Sequence, residues 1–129
     1  MFNFRRKKKR INPYLKKIPE ERFVPFRIIK VKEAAEMISN KNLTDLIILD
    51  VRTRREYNIA HIKESINIDI NFLKNYTYLL DKNYKILLYC NSGSKAVKAA
   101  YLLYYMGYDK LFIWEGGSIN SMIQFNLVE

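Results

Sequence analysis

From Phe26 onward the hydrophobic positions follow two rhythms. "FRIIKV" (26–31) reads as a short strand, and "KEAAEMISNKN" (32–42) as a helix turning Ala34, Ala35, Met37 and Ile38 inward and ending near Asn40 or Asn42. "LIILDV" (46–51) is apolar at successive positions up to Asp50, which suits a strand buried on both faces, as in parallel sheets. "SINIDI" (65–70), "KILLYC" (85–90) and the shorter "KLFIW" (110–114) repeat that character. Between them "NFLKNYTYLL" (71–80) and "SKAVKAAYLLYYMGY" (94–108) have helical spacing. The second places Val97, Ala100, Tyr101, Tyr104 and Tyr105 on one side and stops at Gly107. Strands alternating with helices predict βαβ units and a largely parallel sheet with helices on both faces, a three-layer α/β/α arrangement. No internal repeat is present, and low complexity is confined to one basic run.

Pro13, Pro19 and Pro25 all fall in the first 25 residues, so residues 1–25 read as a tail and 26–129 as one domain. Dividing the charge along the chain supports the same boundary. The net charge is +10, but residues 1–27 hold ten Lys/Arg against Glu20 and Glu21, so the remainder is nearly balanced. The basic run RRKKKR beside Phe2 and Phe4 suits an anionic membrane surface or an acidic partner, each such cation near an acidic membrane being worth about 1 kcal/mol. It equally suits a solvated extension. A specific nucleic-acid partner is not expected. A chain of 129 residues is long enough to bury a core without disulfides, and its single cysteine cannot form an internal one. With no secretory signal in MFNFRRKKKR, a reducing cytoplasm is the expected location, peripheral to the membrane if the tail docks there.

The candidate chemistry lies at the end of "KILLYC". In parallel α/β folds ligands bind beyond the carboxyl ends of strands, and Cys90 ends one. It is followed by "NSGSK" and a helix beginning around Ser94 to Ala96. Backbone N–H groups of such a loop can form a nest for an anion, reinforced by the positive end of the helix dipole. A sulfur in that field is stabilised as thiolate. Gly93 permits φ > 0, Ser92 and Ser94 offer hydroxyls, and Lys95 brings a cation to the rim. On the loop alone a second reading stays open, because free cysteine often serves as a small buried hydrophobe.

Other stretches narrow the choice. Asp50-Val51-Arg52, Glu56-Tyr57, His61-Ile62, Asn67-Ile68, the loop with Cys90, Ser92 and Gly93, and Gly116-Gly117 occur in an order and spacing that resembles the rhodanese family, the single-domain sulfurtransferases. The resemblance covers about residues 27–125. It implies a rhodanese-like α/β fold with a central parallel sheet of about five strands. It also implies that Cys90 takes sulfane sulfur from a small anionic donor such as thiosulfate, or from a persulfide. Cys90 then holds that sulfur as a persulfide and passes it to a thiol or cyanide-like acceptor. The N–H groups of Asn91, Ser92, Gly93, Ser94 and Lys95 cradle the sulfur, and no metal or organic cofactor is called for. Asp50 and Arg52 read as a structural pair bracing the neighbouring loops. His61, the only histidine, reads as orienting loops beneath the site rather than as a general base. Trp114 and Glu115 either line the entrance or pack. Related phosphatases use a longer loop, Cys-x5-Arg, whose arginine clasps phosphate. Here that position is Ala96, which argues against phosphate chemistry.

This chain departs from the family pattern in three places. Lys95 stands where many members have arginine and lacks its planar fork. Ala60 replaces the usual glycine before His61, and Glu64-Ser65 stands where Gly-Ala is common. The alternative reading from a different class is a non-catalytic rhodanese-like binding or sensing module. Retention of Cys90 favours the enzyme.

Overall fold

In the computed structural model, which describes residues 23–129, the continuous apolar runs form one five-stranded sheet. The elements are β1 (Arg27–Ile29), α1 (Val31–Ser39), β2 (Leu46–Asp50), α2 (Arg54–Ile59), β3 (Ile66–Asn67), α3 (Leu73–Tyr76), β4 (Lys85–Cys90), α4 (Ser94–Tyr105) and β5 (Leu111–Ser118), followed by a 3-10 segment (Ile119–Phe125). The strand order is β1-β5-β4-β2-β3 and every pairing is parallel. The basic segment falls outside the described residues. None of the described helices is long and apolar enough to cross a membrane.

Alternation along the central strands explains why they are apolar throughout. Leu49, Ile86, Leu88 and Cys90 face α4, where they meet Ala96, Ala99, Ala100 and Leu103. Leu46, Ile48, Leu87 and Tyr89 face the other way, toward Ala34, Ala35 and Ile38 of α1 and Ile119 and Met122 of the 3-10 segment. Both faces of the sheet are therefore covered, and the three-layer arrangement holds.

Several elements differ from the sequence reading, among them α2, which the hydrophobic pattern did not announce. The inner face of α4 is Ala96, Ala99, Ala100 and Leu103, whereas Tyr105 is 80% exposed and Tyr104 lies at the surface. Small residues let the helix axis settle close to β4 and β5, which a row of tyrosines would prevent; the tyrosine face points outward instead. Residues 71–80 form short helical turns rather than one helix. Only Leu73 and Leu80 are buried there, and the Tyr108 hydroxyl lies 2.8 Å from the carbonyl oxygens of both Thr77 and Leu80, competing for acceptors that a regular helix would use. "SINIDI" contributes only Ile66–Asn67 as strand, because Asp69 caps the following turn by accepting from the Asn71 N–H at 2.9 Å.

The strand β5 runs past "KLFIW" to Ser118. Leu88 pairs with Ile113, but Cys90 pairs with Ser118, so Trp114–Gly117 bulge out beside the end of β4. Gly116 (φ 79°) and Gly117 (φ 56°) make that bulge.

Candidate active site

Cys90, the last residue of β4, is 2% exposed, and its Sγ accepts the Gly93 N–H at 3.0 Å. Gly93 sits at φ 91° and caps the N-terminus of α4, so the loop turns tightly enough to bring that N–H back over the sulfur. The late Gly-Gly pair backs this turn. A β-carbon on Gly93 would lie 2.6 Å from the Gly116 carbonyl oxygen, and one on Gly117 would lie 2.7 Å from the Gly93 Cα. Both approaches are closer than any side chain tolerates. The two glycine sites thus fix each other, and through Gly93 they fix the donor to Sγ.

A polar brace holds the loop from the opposite side. Asp50, fully buried at the end of β2, accepts from the Arg52 backbone N–H at 2.8 Å, from Nε at 3.1 and 3.0 Å, and from Nη2 at 2.7 Å. The remaining guanidinium hydrogens reach the Ala60 carbonyl at 2.6 Å and the Asn91 Oδ1 at 3.2 Å. Burial by itself would lower the Arg52 pKa, but hydrogen bonding and attraction from Asp50, with smaller help from Tyr89 and Glu56, raise it. Arg52 is a fixed cation.

Asn91 is gripped at its other end as well, its Nδ2 donating to Glu56 Oε2 at 2.6 Å. Glu56 belongs to a capping box with Thr53, which starts α2. The Thr53 backbone N–H foremost, then the side chains of Asn91 and Thr53 and the attraction of Lys95, hold the Glu56 carboxyl below its ordinary range against a desolvation effect that raises it. Asn67 completes the brace by donating to the Asp50 and Arg52 carbonyls at 3.1 and 2.9 Å. Beneath it the Tyr89 hydroxyl accepts the Ile62 N–H at 3.0 Å; burial, then the proximity of Asp50, pushes its pKa well above the ordinary tyrosine value.

The residues picked out from sequence therefore divide. Cys90, Asn91 and Gly93 come together with Asp50 and Arg52. Ser92, Ser94 and Lys95 occupy the exposed rim, with the two serine hydroxyls 3.3 Å apart. Among the described residues the backbone donor placed on Sγ is that of Gly93, not the whole run 91–95. The ring contacts of His61 are with Tyr57 and Glu129 rather than with the loop. Its ring stacks on Tyr57 at 4.0 Å, Nδ1 meets the Tyr57 carbonyl at 2.8 Å, and Nε2 lies 3.3 Å from a Glu129 carboxylate oxygen. It ties the end of α2 to the C-terminal residues. Trp114 is buried against Tyr89 at 5.6 Å and Ala96 is fully buried.

The departures from the family pattern also acquire physical content. Ala60 is extended (φ −164°), so no glycine is needed there. Glu64 sits at φ 63°, where glycine would be at ease. Ser65 uses its hydroxyl, donating to the Ile62 carbonyl at 2.7 Å and meeting the Tyr89 hydroxyl at 3.1 Å. Sequence reading missed the contacts of Glu56 and Asn67. Their only signal was membership in the spaced motifs.

A family model described as the rhodanese-like domain matches residues 30–119. Among curated proteins, the tRNA uridine(34) hydroxylase of Buchnera aphidicola subsp. Baizongia pistaciae is 30% identical over 102 residues, which is 70% of this chain and 30% of that protein. The enzyme of the same name from Cytophaga hutchinsonii is 29% identical over 97 residues, 71% of this chain and 31% of that one. The chain thus spans just under a third of the length of these relatives. Among solved structures, a rhodanese-related protein from Thermoplasma volcanium superposes with a TM-score of 0.65 at 29% identity, covering 80% of this chain and 97% of the other. A Bacillus halodurans protein gives 0.67 at 28% identity over 80% and 76% of the two chains.

Proposed function

The chain belongs to the rhodanese-like domain family, and on that premise we propose that it is a sulfurtransferase whose sulfur carrier is Cys90. The observation that carries the reading is the Gly93 N–H aimed at Cys90 Sγ from the N-terminus of a twelve-residue helix. A backbone donor and a helix N-terminus directed at one sulfur suit the negative charge that sulfur transfer places there. With thiosulfate, the Cys90 thiolate attacks the outer sulfur, the S–S bond of the donor breaks, and sulfite leaves with the electron pair. The persulfide anion then gives its outer sulfur to cyanide or a thiolate, restoring the Cys90 thiolate. Asp50 and Arg52 act through Asn91 as positioning residues, since their hydrogen bonds end at the loop and not at the sulfur.

The test is intact mass after incubation with thiosulfate or a low-molecular-weight persulfide. The wild type should gain one sulfur, which cyanide removes, and Cys90→Ser should gain none. If the wild type never gains sulfur, the fold serves instead as a binding or sensing module. A second reading has the relatives in its favour, which are named for hydroxylating uridine 34 of tRNA. It assigns the same cysteine loop to tRNA modification. Nucleoside mass analysis of tRNA incubated with the protein distinguishes the two.

A further inference from the structure

At the end of the sheet away from Cys90, a groove of about 340 Å³ opens between residues 23–27 and the last turn of α4. Its lining is apolar and aromatic, with Phe23, Val24, Phe26, Tyr104, Leu111 and Phe112. Phe23 is 61% exposed and its ring lies 5.3 Å from that of Tyr104; Tyr105, next along the helix, is 80% exposed. The cysteine loop and its brace use none of these side chains. Cys90 ends β4 and Gly93 caps the start of α4, whereas Arg27 and Leu111 begin β1 and β5 and Tyr105 ends α4. In an all-parallel sheet those are opposite poles. A twelve-residue helix rising about 1.5 Å per residue sets Tyr105 about 18 Å from the cysteine loop.

Exposed cations surround the groove. Arg27 and Lys85 lie over the Phe112 ring, 5.5 and 6.0 Å from its centroid, and Lys110 lines the wall. Among the described residues the same pole also holds Lys82 and the carboxylates of Asp45, Asp81 and Asp109, so by itself it is close to balanced. The asymmetry comes from the sequence that joins it. Residues 1–22, directly before Phe23, carry nine Lys/Arg against Glu20 and Glu21, a net of +7, with Phe2 and Phe4 beside the basic run. A strongly basic segment tethered at an exposed aromatic cluster complements a surface that is anionic at its face and apolar just beneath. A lipid bilayer with acidic headgroups is built that way. A polyanion with no apolar layer answers the charge but leaves Phe23, Val24 and Tyr105 in water.

We propose that this pole is a docking surface for an anionic lipid bilayer. The basic segment supplies attraction to the phospholipid headgroups, and Phe23, Val24, Tyr104 and Tyr105 enter the interface. Docked this way, the domain turns its cysteine loop to the aqueous side, so the bilayer holds it without covering Cys90. Each cation close to an acidic leaflet is worth about fivefold in partition, and the attraction fades beyond about 8 Å at physiological ionic strength. The docking is independent of which chemistry Cys90 performs.

The experiment is co-sedimentation of the full chain with phosphatidylcholine vesicles containing about 30% phosphatidylserine, against phosphatidylcholine alone. Partition onto the acidic vesicles should be at least about tenfold stronger and should fall steeply with added salt. Phe23→Ser/Tyr105→Ser, which leaves every charge in place, should lower that partition about tenfold, its urea midpoint confirming an intact fold. With brominated acyl chains in the same vesicles, Tyr105→Trp protein should lose part of its fluorescence. Wild type, whose only tryptophan is Trp114 in the bulge beside Cys90, should lose none. Absence of binding to acidic vesicles, binding that the double variant does not weaken, or quenching of Trp114 would overturn the proposal. Tighter binding to polyuridylate or polyglutamate than to acidic vesicles at equal anion concentration would overturn it in favour of a nucleic acid or an acidic protein. A Phe23- and Tyr105-dependent dimer that leaves the vesicles unbound would overturn it in favour of a second copy of the chain.

Discussion

Replacing Asp50 by Asn tests the brace most directly, because the change keeps shape and removes only charge and one acceptor. In the folded protein Asp50 is fully buried and Arg52 is 5% exposed, so the guanidinium has no water to fall back on. Asp50 accepts from three Arg52 nitrogens, and an amide offers one acceptor while turning its own N–H groups toward the guanidinium. Removing one partner of a buried pair costs about 3–5 kcal/mol, much of it the uncompensated charge left behind, against roughly 5–15 kcal/mol for a whole domain. With a urea m-value of about 1–3 kcal/mol/M, the unfolding midpoint should fall by about 2 M. The double variant Asp50→Asn/Arg52→Met should regain part of that loss, since it removes the orphaned charge. Both variants should load sulfur onto Cys90 more slowly than wild type, because the hydrogen bond holding Asn91 Oδ1 is weakened in one and absent in the other. A loss below about 1 kcal/mol for Asp50→Asn, or a double variant less stable than the single, would refute the reasoning.

Gly117→Ala should destabilise the domain by about 1–3 kcal/mol and slow Cys90 loading at least tenfold, since the new methyl sits 2.7 Å from Gly93 Cα. Urea unfolding and loading kinetics measure the two effects. Glu64→Gly should stabilise by about 0.5–1 kcal/mol, because φ 63° strains a side chain more than it strains glycine; thermal unfolding reads the gain. The Glu56 carboxyl is held below its ordinary value of 4.5, chiefly by the Thr53 backbone N–H. Its contribution is therefore fully present above that value and is lost as pH falls through the lower folded value. Stability measured across the acid range should lose part of its pH dependence in Glu56→Gln, and an unchanged acid limb would show that the carboxylate does not hold the loop.

Strand identity was readable because a run buried on both faces has little room for polar residues, and "LIILD" and "KILLYC" became β2 and β4. The face of α4 was not readable in the same way. Helical spacing gives both an alanine side and a tyrosine side, and the tyrosine side offers the larger apolar area. What decides is how closely a helix must approach a sheet, and that distance is set by β4 and β5, which spacing within α4 does not encode. The turns over 70–79 were hidden for a similar reason, since the competing acceptor contacts come from Tyr108 about thirty residues later.

The candidate site was legible as a set of types and spacings, but its logic was not. Asp50, Arg52 and Cys90 stand at or just after the ends of adjacent strands β2 and β4, so the parallel register that pairs Asp50 with Tyr89 brings them together. Sequence reading could follow that far. The further steps, Arg52 to Asn91 to Glu56 and Gly93 against Gly117, join residues 24 to 39 positions apart through side-chain hydrogen bonds and one backbone contact. Those contacts turn a flexible small-residue loop into a defined one. With Asn91 held from one side and Gly93 from the other, the N–H over Cys90 Sγ has little freedom left. The position of that N–H is consequently also set by residues that do not touch the sulfur, which is why substitutions at Asp50 and Gly117 should be felt at Cys90.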